Sequence, residues 1–168
     1  MPFPWLAGMR VTADRLNEHN PVFVLKGSDE ERTSTSTPAD DPNLTLNVAD
    51  GVWRIEASLD YAGESGSGGL RVDWNLSGGA TVHAIRRVQG PESGATDRNA
   101  QLMRSAVHGD TTDITYGNTA TSSLRSYARE EITVEGPGTV TLRWAQITSS
   151  SSPTTLAAGS YLLAKRVA

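Results

Sequence analysis

The chain has 168 residues, a net charge of −4 and no cysteine, which excludes disulfides, a zinc ribbon and a thiol nucleophile. One domain with a short appendage is the natural count, with roughly 70% of the unfolded chain's surface buried on folding. The 15 basic residues are scattered among 19 acids, with Arg86–Arg87 and Lys165–Arg166 as basic doublets far apart in sequence, which argues against nucleic acid as a partner.

Residues 1–20 differ in character from the rest. Pro2 and Pro4 bracket Phe3, with Trp5 and Leu6 next, so the stretch reads as an extended apolar arm. Thr12 is placed to cap a short helix with Asp14 in its first turn, and Val11 and Leu16 stand at hydrophobic-staple positions. The helix is expected to end near Asn20–Pro21, since a residue before proline leaves the helical region. The N-terminus has neither the charged start nor the long apolar core of a signal peptide, and no apolar run approaches the ~18 residues of a membrane span. The expectation is a chain that stays in the cell that makes it or leaves in an assembled particle.

From Val22 onward the pattern is that of strands. Candidates are 22–26, 31–37, 43–48, 51–61, 69–76, 80–89, 101–107, 124–134, 138–147 and 159–167. The clearest is 51–61, where Trp53, Ile55, Ala57, Leu59 and Tyr61 alternate with Val52, Arg54, Glu56, Ser58 and Asp60. Such a period of two marks a half-buried antiparallel strand, and it returns at Leu70, Val72, Trp74, Leu76 and at Val140, Leu142, Trp144. Asp50-Gly51, Gly78-Gly79 and Gly136-Pro137-Gly138 read as hairpin turns. Loops of flexible composition are expected at 62–69, 89–99 and 108–123, and an almost purely Ser/Thr loop at 148–155. About ten short strands without a sustained helical period make an all-β antiparallel sandwich, best matched by a jelly roll. The domain division is an arm with a short helix at 1–21 and a jelly-roll β-sandwich at 22–168.

The residues supply little that reads as catalysis. His19, His83 and His108 fall at unrelated positions and read as ordinary polar histidines, not metal ligands. No G-x-S-x-G elbow is present to strain a serine nucleophile. Asp29-Glu30-Glu31, Asp40-Asp41 and Asp110/Asp113 lack EF-hand spacing and read as solvated carboxylates. No catalytic residue, cofactor or metal is assigned. Trp53, Trp74 and Trp144 are in phase with aliphatic neighbours and belong to the core, whereas Phe3, Trp5 and Leu6 sit in an arm with no core of its own. An apolar cluster of that kind marks an interaction site.

A family resemblance attaches to these segments. Trp5 to Asn17, WLAGMRVTADRLN, resembles the attachment segment that opens many tail and fibre proteins of phages infecting actinobacteria. Arg32 to Val48 followed by GVWRIEASLDY resembles the opening strands of small jelly-roll modules in those virions. TVTLRWAQ and GSYLLAKRV resemble the closing strands. The layout is similar to tumour-necrosis-factor-like and complement-like heads, in which three copies pack about an axis with the C-terminal strand in the inner sheet. The resemblance implies a virion structural protein, on the tail tip, a fibre or the capsid exterior. The preferred reading is a non-enzymatic homotrimer decorating the capsid surface or forming a head fibre, since the chain is short and has no stalk or heptads. Its partners are other virion proteins, and it attaches through Phe3, Trp5, Leu6, Val11 and Leu16. An alternative is a minor tail or fibre protein whose head binds host surface glycan through the long loops, with Glu64, Arg98, Asn99, Asp110 and Tyr116 as recognition residues. The alternative from another class is a carbohydrate-active enzyme or a lectin.

Overall fold

The computed structural model describes residues 8–10, 12–13, 20–63, 68–95, 103–109, 112–118 and 125–168. The leading arm at 1–7 and all but the first residues of the expected helix lie outside the described residues. Among those described, ten strands follow one another: β1 (Val22–Leu25), β2 (Glu30–Arg32), β3 (Ala39–Gly63), β4 (Leu70–Ser77), β5 (Thr81–Pro91), β6 (Met103–His108), β7 (Ile114–Tyr116), β8 (Ser126–Gln146), β9 (Thr154–Leu156) and β10 (Tyr161–Arg166). Every pairing between them is antiparallel. The fold is an all-β antiparallel sandwich.

Two long strands organise it. β3 and β8 pair along most of their length as one ribbon. Residues 51–61 of β3 and 126–136 of β8 lie in a first layer ordered β1-β10-β3-β8-β5-β6. Residues 39–48 and 138–146 of the same strands lie in a second layer ordered β3-β8-β4-β7. β9 pairs with the end of β3 at Tyr61–Gly63, and β2 pairs with β9. The core fills the space between the layers. The first layer sends in Trp53, Ile55, Leu59, Ile132, Val134 and Leu162. The second layer sends in Leu44, Leu46, Val72, Trp74, Leu142 and Trp144.

The bend of the ribbon explains the glycines that read as hairpins in the sequence. Gly51 pairs with Gly136, and Val48 pairs with Gly138, so Asp50-Gly51 and Gly136-Pro137-Gly138 face each other inside continuous strands. The register shifts there, with one more residue in β3 than in β8 between the two pairs. That extra residue is visible in burial: the inward positions of β3 run Leu44, Leu46, Val48 and then Trp53, Ile55, Ala57, a change of phase across the corner. A strand that passes from one layer to the other needs backbone able to approach its neighbours closely. A Cβ on Gly138 would lie 2.3 Å from the Ser77 carbonyl oxygen and 2.5 Å from the Ala80 nitrogen. Gly51 has φ 117°, a conformation side chains resist. Gly78-Gly79 is a turn but joins no hairpin. β4 and β5 do not pair, and the turn carries the chain from the second layer to the first.

A second irregularity lies between Asp40 and Thr45 of β3. Pro42 sits in it, where its missing N–H breaks no ladder bond. β7 and β9 fall where loops were expected. Each is three residues long, with the pattern buried, half-buried, buried, too short to give a period in a Ser/Thr-rich stretch.

Gly138→Ala is expected to destabilise the domain by about 1–3 kcal/mol, because the corner cannot open without shifting β4. Gly27→Ala, with open space around it, is expected to stay within about 0.5 kcal/mol of the wild type. Urea denaturation of both variants checks the contrast.

Candidate functional site

Of the residues assigned to loop recognition, only Tyr116 is described. Glu64, Arg98, Asn99 and Asp110 lie outside the described residues, as do the attachment residues Phe3, Trp5, Leu6, Val11 and Leu16. Tyr116 is a core residue of β7 and does not serve as a loop contact: its side chain is fully buried, and its hydroxyl donates to Glu130 Oε1 at 2.7 Å. The phase of β7 turns Ile114 and Tyr116 inward and leaves Thr115 half-exposed.

That hydroxyl belongs to a polar cluster at the centre of the sandwich. Glu130 of β8 and Arg86 of β5 are both fully buried. Arg86 Nε donates to Glu130 Oε2 at 2.8 Å, and Nη2 donates to Oε1 at 2.7 Å, a two-pronged pair. The second layer completes it. Trp74 Nε1 donates to Glu130 Oε2 at 2.8 Å, and the remaining Arg86 bonds go to the carbonyls of Val72 at 3.1 Å and Thr112 at 2.8 Å. Between Val82 and Arg87, β5 carries extra residues relative to β8, and such bulges re-aim side chains. Arg86 lies in that stretch. The sequence marks Glu130 by phase, since it shares parity with Ala128, Ile132 and Val134.

A second buried cluster ties the end of β1 to β3. Lys26 Nζ donates to Asp41 Oδ2 at 2.6 Å and to Glu30 Oε2 at 2.8 Å. Trp144 Nε1 also donates to Asp41 Oδ2, at 3.0 Å, and the N–H groups of Asn43 and Leu44 donate to Oδ1 at 2.9 Å each. Asp41 is therefore not the solvated carboxylate expected of Asp40-Asp41. Burial pushes its carboxyl up, but Lys26 and the two backbone N–H groups outweigh burial and hold it below the usual value. Burial also pushes the Tyr61 hydroxyl up; it donates to the Gly117 carbonyl at 2.5 Å.

The outward face of the first layer is polar in the middle and apolar at one edge. In the middle, Glu131 accepts from Arg54 on one carboxylate oxygen and from Arg87 on the other, the latter at 2.6 Å. Burial would raise the Glu131 carboxyl, but the two guanidiniums prevail and lower it. Arg129 pairs with Glu56 beside them. Between these groups lies a cleft of about 250 Å³, with Gln89 and Ser105 on its far side. At the edge, Phe23 and Leu25 of β1 are 56% and 54% exposed, and Phe23 packs its ring 5.3 Å from that of Tyr161. Among the described residues no group of His, Asp and Glu side chains gathers as a metal site, and no helix is long and apolar enough to cross a membrane.

No protein-family model matches the chain, and no curated protein matches it in sequence. Among solved structures, the chain is similar to the tripod (BppUct-A-L) from the baseplate of bacteriophage Tuc2009. The identity is 9% and the TM-score 0.39, over 96% of this chain and 72% of that one. It is also similar to a chain of the infectious bursal disease virus Gx strain, at 13% identity and a TM-score of 0.23 over 89% of this chain and 36% of that one. The corresponding values for the Gt strain are 12% and 0.24, over 98% and 44%.

Two outcomes follow from the buried clusters. Arg86→Met leaves the Glu130 carboxylate without its cation and is expected to cost about 3–5 kcal/mol in urea denaturation, with Arg86→Met/Glu130→Gln recovering most of the loss. Asp41 has a lower pKa folded than unfolded, so its contribution is complete above the unfolded value near 3.8 and disappears as pH falls through the folded one. The melting temperature is expected to hold from pH 7 to about 5 and to drop below about pH 4, with a shallower acid limb in Asp41→Asn.

Proposed function

We propose that the chain is a non-enzymatic structural protein of a phage particle, a homotrimer held on the capsid surface or in a head fibre by its N-terminal arm. One observation carries the reading. The apolar arm leads into β1, and β1 is an edge strand that leaves Phe23 and Leu25 more than half exposed. An edge strand with no further strand paired to it among the described residues and with outward apolar side chains, without lysine or a bulge to blunt it, invites another chain. The occupant is a second copy of this chain, three copies closing about an axis. The C-terminal strand β10 lies next to β1, which supports an inner-sheet placement like that of the resembling heads. Covering the exposed halves of Phe23 and Leu25 contributes about 1 kcal/mol per side chain, repeated at each of the contacts.

The arm is then the attachment element. Phe3, Trp5 and Leu6 bury in a groove of a neighbouring virion protein, braced by Val11 and Leu16, and three arms per trimer multiply the hold through avidity. Light scattering of the full chain is expected to give a trimer, and Phe23→Ser/Leu25→Ser a folded monomer. A wild-type monomer at working concentration overturns the trimer. Deleting residues 1–20 is expected to leave a folded β domain that no longer joins particles. Normal occupancy by the truncated chain overturns the docking role. Labelled copy number per particle, hundreds for a capsid site and tens or fewer for a tail site, separates the two locations.

A further inference from the structure

We propose that the cleft on the outward face of the first layer binds an acidic saccharide, with Arg54 and Arg87 taking its anionic group and Gln89 and Ser105 its hydroxyls. The cleft is built on β3, β8, β5 and β6, and strands hold side chains in place better than loops do. Gln89 pairs in register with Arg129 on one side and Ser105 on the other, a row across three strands. At the usual strand separation that row is about 10 Å long. Glu131 and Arg87 pair in the next outward row.

The charges indicate the ligand class. Two guanidiniums share the single Glu131 carboxylate, while Arg129 is matched by Glu56. One positive charge is left over at the cleft. Arg54 and Arg87 each give one N–H to Glu131, and most of the five donors on each fork have no partner among the described residues. Their side chains are 57% and 63% exposed. Such a fork matches a carboxylate or phosphate with two parallel hydrogen bonds, roughly twice as strong as neutral ones. Among the described residues no aromatic ring lines the cleft, so a neutral sugar finds no stacking surface on them. A volume of about 250 Å³ is below that of a drug-sized pocket and suits one charged ring with its adjacent hydroxyls. A single surplus charge on a chain of net charge −4 suits one anionic group and not a nucleic-acid strand. The site does not depend on how the chain attaches to a particle.

The test is a titration of the isotopically labelled full chain, followed by NMR at low salt, with glucuronate, glucose 6-phosphate, glucose and inorganic phosphate as probes. Saturable shifts at Arg54, Arg87, Gln89 and Ser105 are expected with one or both acidic sugars, the stronger of them identifying carboxylate or phosphate as the preferred group. Glucose is expected to produce no saturable shift. Arg87→Gln, an exposed change that leaves the rest of the spectrum in place, is expected to weaken binding at least tenfold. Glu131→Gln removes the internal competitor and is expected to tighten it severalfold. The proposal is overturned if glucose binds as well as the acidic sugars, or if neither acidic sugar saturates. It is also overturned if Arg87→Gln has no effect, or if inorganic phosphate matches both sugars, which would mark an adventitious ion only.

Discussion

The Glu130 carboxylate joins the two layers of the sandwich. It stands on β8 in the first layer and receives four hydrogen bonds, two from Arg86 of the same layer and two from Trp74 and Tyr116 of the second. Apolar packing holds two sheets together without choosing among near-equivalent offsets. A charge that must find four donors in the dark interior tolerates one arrangement, because any slip leaves part of it unpaired in a medium of low dielectric. Arg86 tightens this by bonding the Val72 and Thr112 carbonyls across the layers. A buried ion pair adds little stability over an apolar substitute. What it adds here is a set of directed contacts that join β8 and β5 to β4 and β7.

The β3–β8 ribbon sets the remaining geometry. Because both strands turn the corner together, the same two strands supply inward residues to both layers and outward residues to the charged face. The turn takes place at glycines, and the phase change in β3 lets Trp53 and Leu46 both point inward although they lie at positions of opposite parity. Lys26 and Asp41 act at the other end, fastening the loop after β1 to β3 beneath Trp144. The edge strand β1, with its outward Phe23 and Leu25, is thereby held against a rigid body.

Much of this architecture was legible in the residues. The alternation at 51–61 places its five apolar side chains inward as expected, and Trp53, Trp74 and Trp144 are all core. What the pattern could not convey was where strands continue. Asp-Gly and Gly-Pro-Gly carry the chemistry of a hairpin turn and of a strand corner alike, and only the partner across the ladder distinguishes them. The polar interior was hidden for a related reason. Asp41 follows another aspartate in what looks like a turn, and its burial depends on Lys26, fifteen positions earlier. Tyr116 lies in a segment dominated by small polar residues, and its inward direction is settled by pairing with Leu70 of β4.

Arg86 and Arg87 show how pairing, and not composition, decides the role of a side chain. They are adjacent and chemically identical, and as a doublet they resemble the start of a basic patch. The strand separates them onto opposite faces. Arg86 is spent on the interior carboxylate and four of its five N–H groups are engaged. Arg87 meets Glu131, the residue after Glu130, on the outside, where most of its donors have no partner among the described residues. Two successive Arg–Glu pairs thus join the same two strands on opposite faces. The inner pair fixes the layers, and the outer pair is backed by that fixed frame, so the Arg54–Glu131–Arg87 grouping keeps its geometry without help from any loop. A surface charge cluster on a mobile segment loses most of its attraction to side-chain and backbone entropy and to solvent screening. Set on strands anchored from beneath by a fully satisfied ion pair, the same charges hold a defined cleft.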